Sequence, residues 1–168
     1  MATDKHANND AYELEMTVTV TSQNIANNTS TVSWVCKTTK SSGTGYSGSG
    51  NMSGSANVDG SVWSVSGQNW DFTGGTPKTV TWTSGSKTIT HGADGTKTIN
   101  WGATVTLGSS VGKATISQSL TLPRIPRGPR VRVSGTWRNT VAYVRQGGTW
   151  KIAIPYARQG GTWKVAGS

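Results

Sequence analysis

Apolar or β-branched residues alternate with polar residues along most of this chain, and this pattern restricts the possible folds more than any other feature. The two earliest runs carry their apolar residues at Met16, Val18 and Val20 and at Val32, Trp34 and Cys36. Side chains of an extended strand point to opposite faces with a period of two, whereas a helix repeats every three to four residues. Helical spacing is not sustained over three turns anywhere, so the sequence predicts an all-β fold.

Five further runs alternate in the same way, at residues 62–66, 79–83, 87–91, 96–107 and 114–122, and Gly, Asn, Asp or Pro bounds each of them. The inward-facing candidates are Val80, Trp82, Ile89, Ile99, Trp101, Val105, Ile116, Leu120 and Leu122. Residues 41–60 are Gly/Ser-rich, and Tyr46, Met52 and Val58 mark candidate short strands there. Seven or eight strands with one apolar face predict an antiparallel β-sandwich, immunoglobulin-like or jelly-roll-like.

The places where the alternating pattern begins and ends predict four segments. Residues 1–12 are polar and aperiodic, as in an N-terminal arm, and residues 13–123 form the sandwich. Between the runs at 87–91 and 96–107, His91–Gly95 is predicted to be a hairpin connection in which Asp-Gly supplies a positive φ. Residues 124–130 are predicted to be an extended Pro/Arg linker, and residues 131–168 form a basic repeat.

The C-terminal segment repeats three times with a period of 13 residues. Each copy has an Arg, a turn segment ending in Gly, then Thr-Trp and a basic residue, and a Tyr recurs with the same period. The predicted element is a strand, a glycine turn and a second strand, and stacking of the units or packing on a partner would bury the Trp faces. The candidate binding residues are Arg132, Trp137, Arg138, Tyr143, Arg145, Trp150, Lys151, Tyr156, Arg158, Trp163 and Lys164.

Two interpretations of these repeated residues are open. In the first, the Trp side chains are packing residues and the Arg side chains stack on them through cation–π contacts or remain solvated at the rim. In the second, Trp and Arg form repeated contact sites for a glycan or an anionic polymer, because an aromatic face packs on sugar C–H groups and Arg binds phosphate or carboxylate. Repetition would add avidity in that case.

Charge is distributed very unevenly between the two parts of the chain. Residues 1–123 carry seven basic and seven acidic residues, whereas residues 124–168 carry nine basic residues and no acidic residue. The second segment is therefore expected to be attracted to polyanions. No apolar run approaches the length of a membrane span, and the N-terminal residues show no hydrophobic signal core, so we expect neither membrane insertion nor secretory export.

Chemistry-bearing residues are sparse and show no catalytic pattern. His6 and His91 are the only histidines, and neither has metal-ligand partners at a suitable spacing. Asp59, Asp71 and Asp94 are too scattered to indicate paired-carboxylate chemistry. Cys36, the only cysteine, lies on an apolar face and is expected to be an inert core thiol. We therefore expect no enzymatic activity and no cofactor.

Two motifs and the repeats carry a family resemblance. Lys87–Lys97, with its Ile-Thr-His-Gly-Ala-Asp-Gly run, and the Leu-Pro-Arg-Ile-Pro-Arg run at residues 122–127 resemble a family of minor structural proteins of long-tailed phages. The stretch from Asn27 to Trp34 is similar to the opening strands of that family, and the resemblance covers roughly residues 16–127. The Gly-Thr-Trp-Lys repeats look like the ends of phage structural proteins from actinobacterial hosts. The resemblance implies a virion component, usually of the tail, with no catalytic residues.

These features favour a minor tail protein of the virion, synthesised in the host cytoplasm, that serves in assembly and host-surface attachment. A capsid decoration protein is the first alternative, and a free carbohydrate-binding module is the second. Expected partners are other tail or capsid proteins, further copies of the chain with a homotrimer preferred, and an anionic cell-wall polymer or glycan. Nucleic acid is not expected, because Lys and Arg do not cluster along one face of the repeat.

Overall fold

The computed structural model describes residues 1–41, 48–126 and 130–165, and for residues 130, 137–139 and 165 it describes the backbone alone. Within these ranges every regular element is a β-strand, so the predicted all-β class is confirmed. The described part of the chain contains no helix long and apolar enough to cross a membrane. Tyr46, which was predicted to mark a strand, lies outside the described residues.

Eight strands form two four-stranded sheets. The first sheet contains β1 (Ala2–His6), β2 (Asn9–Asn24), β3 (Thr29–Lys40) and β6 (Lys78–Thr90), in the order β1-β2-β3-β6. The second contains β4 (Ser49–Val58), β5 (Ser61–Asp71), β7 (Thr98–Thr106) and β8 (Lys113–Thr121), in the order β5-β4-β7-β8. This two-sheet arrangement confirms the predicted antiparallel sandwich.

The core of the sandwich follows the alternation seen in the sequence. Every second residue of β3 is buried, and Val32, Trp34 and Cys36 are among them. Trp34 packs against Trp63 of the facing sheet, with ring centroids 4.1 Å apart. Gly85 of β6 makes room for this pair, because a Cβ at that position would lie 2.5 Å from the ring of Trp34. The large indoles therefore fill a core in which small and β-branched residues predominate.

The N-terminal residues differ from the predicted arm. Residues 2–6 form strand β1, an edge strand paired with β2. His6 is buried and its Nδ1 lies 3.1 Å from the carbonyl oxygen of Gly112, while the carboxylate of Asp4 accepts a 2.8 Å hydrogen bond from the backbone N–H of Thr115. Neither face of β1 carries an apolar pattern in the sequence, so this strand and its long-range hydrogen bonds could not be predicted.

The described part of the Gly/Ser-rich segment, from residue 48 onward, contains the strand β4. Met52 and Val58, the candidate strand markers, are both buried in β4. Strand β4 pairs with β7, and at Gly54 the two strands lie so close that a Cβ would overlap the backbone carbonyl oxygen of Thr104. The runs predicted at 79–83 and 87–91 likewise fall on a single strand, β6, except for His91, which follows its last residue. Glycine at position 54 therefore allows close packing of two neighbouring strands.

The chain divides into two compact units. The first comprises Met1–Thr21, Val32–Lys87 and Thr98–Leu120, and the second comprises Ser22–Thr31, Thr88–Lys97 and Thr121–Ser168. The second unit also contains six short strands: β9 (Arg130–Val133), β10 (Thr136–Asn139), β11 (Ala142–Gln146), β12 (Thr149–Ala153), β13 (Tyr156–Gln159) and β14 (Thr162–Val165). The predicted boundary near residue 123 falls inside the second unit, because the connections at 22–31 and 88–97 cluster with the C-terminal residues.

Candidate functional site

The three sequence repeats form three separate antiparallel hairpins. Strands β9 and β10, β11 and β12, and β13 and β14 each make a two-stranded sheet of their own. The turn of the second hairpin has positive φ at both central residues, 60° at Gly147 and 81° at Gly148. This geometry is a type I′ turn, whose twist matches that of the flanking strands. The Gly-Gly pair therefore adopts the two positive φ angles without the steric penalty that other residues incur.

The first and third hairpins use the same turn. Gly160 and Gly161 have φ values of 57° and 80°, and Ser134 and Gly135 have values of 49° and 83°. Ser134 replaces the first glycine of the other repeats and adopts a left-handed conformation that costs a non-glycine residue about 1 kcal/mol. The predicted strand, glycine turn and strand are therefore seen in all three copies.

Register places each candidate Arg directly opposite a candidate Trp. The Cα partners are Arg132 and Trp137, Arg145 and Trp150, and Arg158 and Trp163. Directly opposed residues share one face of a hairpin. Two residues along the same faces, Tyr143 lies opposite Ile152 and Tyr156 opposite Val165. We call the side of each hairpin that carries this Arg and Trp the Trp–Arg face.

The Trp–Arg faces of the second and third hairpins are exposed. Trp150 and Trp163 retain 65% and 66% of their accessible surface, and Tyr143 and Tyr156 retain 56% and 55%. Within the single chain, stacking of the units therefore does not bury these two indoles, because each hairpin forms a two-stranded sheet of its own, and burial against a partner stays a prediction. The side chains of Trp137 and Arg138 lie outside the described residues.

The remaining basic candidates lie on the opposite faces. Lys151 is paired with Val144 and Lys164 with Ala157, and the Nζ of Lys151 lies 3.2 Å from Oε1 of Gln146. In the second and third hairpins, whose Arg and Trp side chains are described, no stacking of Arg on Trp is seen, and solvation of the Arg side chains stays a prediction. Among the described side chains the recorded cation–π contact is that of Lys40 with Tyr12, 6.0 Å from the ring centroid. Both faces of a hairpin thus present positive charge, and one adds an aromatic surface.

A buried hydrogen-bonded cluster explains the motifs at residues 87–97 and 122–127. His91 is 5% exposed, and its Nδ1 lies 2.9 Å from the carbonyl oxygen of Gly95. The backbone N–H of Ile125 donates to the same carbonyl group at 2.9 Å. Gly95 has a φ of 80°, and a Cβ there would overlap the carbonyl oxygen of Ile125. The two motifs therefore hold each other in place.

This cluster corrects two predictions. Strands β6 and β7 belong to different sheets, so residues 91–95 connect the two sheets and do not form a hairpin. Ile125 is buried, so the described start of the Pro/Arg segment is packed and is not a free linker. Asp94 stabilises the turn in this connection, because its carboxylate accepts hydrogen bonds from the backbone N–H and the hydroxyl of Thr96. These hydrogen bonds lower the pKa of Asp94.

Ser30 and His91 have the spacing of a nucleophile and its base. Their Oγ and Nε2 atoms lie 2.7 Å apart, a contact between residues 61 positions apart that local sequence patterns did not reveal. Ser30 is completely buried, and the other ring nitrogen of His91 faces a backbone carbonyl where a catalytic triad would place a carboxylate. A substrate has no access to this hydroxyl, so the contact holds the fold together.

Cys36 and His6 are also embedded in the core. Burial raises the pKa of the Cys36 thiol to about 12, which keeps it protonated and unreactive. Burial also lowers the pKa of His6, although the Gly112 carbonyl and the charge of Asp4 oppose the shift. Across the described ranges, no three His, Cys, Asp or Glu side chains lie close enough to hold a metal ion.

The fold and the hairpins together define an all-β protein in which the exposed side chains of Trp150 and Trp163 each lie opposite an arginine on a hairpin of their own. A family model described as "Siphovirus protein of unknown function (DUF859)" matches residues 1–167, and the chain belongs to this family. It is therefore a bacteriophage protein. No curated protein and no solved structure shows significant similarity to the chain.

Proposed function

We propose that the chain is a structural subunit of the siphovirus virion, located in the tail, that acts by binding and performs no chemical step. Membership of a siphovirus family supports a role in the phage particle. The observation that carries the binding role is the exposure of Trp150 and Trp163, each directly opposite an arginine on its hairpin.

Exposed indoles favour a partner for energetic reasons. Burying a large apolar side chain contributes roughly 2 kcal/mol, and a hairpin that stands alone in water is only marginally stable. A partner that covers the Trp–Arg faces would supply the burial that the hairpins do not supply for one another. Three copies in series would bind with greater avidity than any single copy.

Charge indicates the chemistry of that partner. Residues 124–168 carry nine basic and no acidic residues, so an anionic surface is attracted to the segment along its whole length. Arg145 and Arg158 can each bind a carboxylate or phosphate with two parallel hydrogen bonds. We propose two partners of this kind, an acidic surface on a neighbouring virion protein and an anionic polymer of the host cell wall.

Self-association is a further part of the proposal, with a homotrimer as the preferred state. Strands β5 and β6 are sheet edges, and edge strands offer unpaired backbone groups to another chain. Light scattering coupled to size exclusion will test this proposal on the purified chain. A mass close to three times 17.6 kDa is the expected result, and a stable monomer at micromolar concentration would contradict it.

The location is tested on purified virions. An antibody raised against the hairpins, detected with gold in electron micrographs, is expected to label the tail, and mass spectrometry of the same particles is expected to recover the chain. Label over the head would favour the capsid decoration alternative. Absence of the chain from intact particles would exclude a virion role.

The wall-binding partner is tested by sedimentation with host cell walls. The full chain is expected to sediment with the walls at low salt and to be released as ionic strength rises, because exposed charge pairs are screened. A double variant, Trp150→Ala with Trp163→Ala, is expected to bind less at every salt concentration. If wild-type protein stays in solution even at low salt, the wall is not the partner.

A further inference from the structure

A groove of about 680 Å³ lies within the second unit, apart from the buried His91 cluster. Its lining is formed by residues 22–27, at the end of β2 and in the connection to β3, by Thr29, Thr31 and Thr88, and by Val141 and Tyr143 at the start of the second hairpin. This volume is within the range of small-ligand sites in proteins. The groove could not be predicted from sequence, because its walls come from three distant segments of the chain.

The lining is polar and contains no charged residue. Its side chains are hydroxyls and amides, except for those of Ile25, Ala26, Val141 and the ring of Tyr143. The hairpins, in contrast, present a basic residue on each face. A ligand for this groove is therefore selected by hydrogen bonding and ring contact, with little contribution from charge.

Hydrogen bonds hold two of the amides in position. Gln23 donates from Nε2 to the carbonyl oxygen of Pro123 at 2.7 Å and to Oγ of Ser30 at 3.2 Å. Asn24 accepts the backbone N–H of Asn27 on its Oδ1 at 3.0 Å. Each contact uses one end of an exposed amide, and the other end is left in position to bind a ligand. Pre-positioned groups of this kind reduce the entropy lost on binding.

Tyr143 supplies the aromatic element of the groove. Val141 and Tyr143 are two residues apart, as expected for neighbours on one side of an extended chain, and Tyr143 keeps 56% of its surface exposed. A ring of this kind can cover the C–H face of a sugar, and surrounding amides and hydroxyls can bind its hydroxyl groups. Arg145 follows two residues later, on the Trp–Arg face.

We propose that this groove binds an uncharged, hydroxyl-rich sugar unit of a glycan, with Tyr143 as the ring platform and Asn24 and Asn27 as hydrogen-bonding groups. The proposal deepens the attachment role proposed above and depends on it only for the source of the glycan. The neutral lining of the groove and the basic hairpins then bind different parts of the glycan. The groove selects a sugar, and the Trp–Arg faces hold anionic groups.

Salt dependence separates these two modes of binding. The probe is envelope polysaccharide from the strain on which the phage grows, separated by ion exchange into neutral and phosphate-bearing fractions. The full chain is expected to bind the neutral fraction equally at low salt and at about 0.5 M salt, because no charge pair contributes. Binding of the phosphate-bearing fraction is expected to weaken as salt rises.

The chain offers a matched control for Tyr143. Tyr156 has the same position in the third hairpin and nearly the same exposure, but it does not line the groove. Tyr143→Ser is expected to weaken binding of the neutral fraction about tenfold, and Tyr156→Ser to leave it within about twofold. Asn27→Ala, a change to an exposed side chain, is expected to weaken it about threefold.

Two outcomes would overturn the inference. One is the absence of binding to the neutral fraction at both salt concentrations. The other is an equal loss of binding in Tyr143→Ser and Tyr156→Ser, which would place recognition on the hairpins in general. Neither outcome affects the proposed virion role, because that role fails only if the chain is missing from purified particles.

Discussion

Most tryptophan residues of the sandwich are buried, whereas those of the second and third C-terminal hairpins are exposed. Trp34 in the sandwich is 3% exposed and lies against another indole, whereas Trp150 in the second hairpin is 65% exposed. Both residues lie on β-strands, so neither strand propensity nor residue type explains the difference. A two-sheet sandwich gives an indole a second layer to pack against, and a lone two-stranded hairpin does not. The hairpin indole is therefore available to a partner.

The largest expected effect comes from truncating one indole in each region. Trp34→Ala should lower the free energy of unfolding by about 3–5 kcal/mol, because it leaves a cavity between the sheets. Trp150→Ala should change the free energy of unfolding by no more than about 0.5 kcal/mol. Urea unfolding followed by circular dichroism measures both. Equal losses would mean that the hairpin indole is buried in solution and would remove the basis of the comparison.

A second pair of variants compares glycines with nearly identical backbone conformation. Gly95 and Gly148 have φ values of 80° and 81°, but a Cβ meets the Ile125 carbonyl oxygen in the first case and open space in the second. Gly148→Ala should cost about 1 kcal/mol in its hairpin. Gly95→Ala should cost about 2–3 kcal/mol, because the overlap adds to the conformational penalty.

Limited trypsin digestion gives an independent measure for the Gly95 variant. Displacing Ile125 should expose the peptide bond after Arg124, so cleavage there should be faster in Gly95→Ala than in wild type or Gly148→Ala. Similar stability and similar cleavage rates in the two variants would show that the contact between the two motifs contributes little.

A smaller effect is the pH dependence of the free energy of unfolding. It is expected for the sandwich and not for the hairpins, since residues 124–168 contain no histidine. Burial lowers the pKa of His6 below its ordinary value of 6.5. Below about pH 6.5 the unfolded chain therefore binds a proton more readily than the folded chain, and the free energy of unfolding falls as pH falls. His6→Gln should reduce the difference between urea midpoints at pH 7.5 and pH 5.5. If the difference between the two urea midpoints is the same in His6→Gln and wild type, the pH dependence of stability comes from other groups.

The smallest expected effect is in the first hairpin. Ser134 has a φ of 49° where the other repeats have glycine. Ser134→Gly should stabilise the hairpin by a few tenths of a kcal/mol, because relief of the left-handed strain is partly offset by the greater entropy that glycine loses on folding. Amide exchange at Val133 and Thr136 should slow. Faster exchange would indicate that serine is held there by a contact of its own.

The sequence predicted the sandwich best where both faces of a strand were distinct. Val32, Trp34 and Cys36 were assigned to one face, and all three are buried. Val18 and Val20, assigned on the same grounds, are only half-buried, because alternation indicates a face and does not indicate how completely a second layer covers it. The polar strand β1 lacked the pattern and was mistaken for an arm.

The candidate site was predictable in its local geometry and not in its surroundings. The 13-residue register showed that Arg145 and Trp150 belong to one hairpin, since residues flanking a two-residue turn must pair. It did not show that Trp150 is exposed, or that Tyr143 lines a groove with the distant residues 22–27. Contacts between distant segments depend on the packing of the whole unit.

The sequence by itself determined the strand class, the turns of the hairpins and the pairing of Arg with Trp, because each follows from backbone conformation over a few neighbouring residues. The tertiary structure alone decided that β6 and β7 join different sheets and that Ser30 meets His91. It also brought residues 22–27 to the second hairpin. These contacts depend on which distant surfaces can be buried together. The alternation along a single strand indicates its buried face but does not indicate which strand lies next to it.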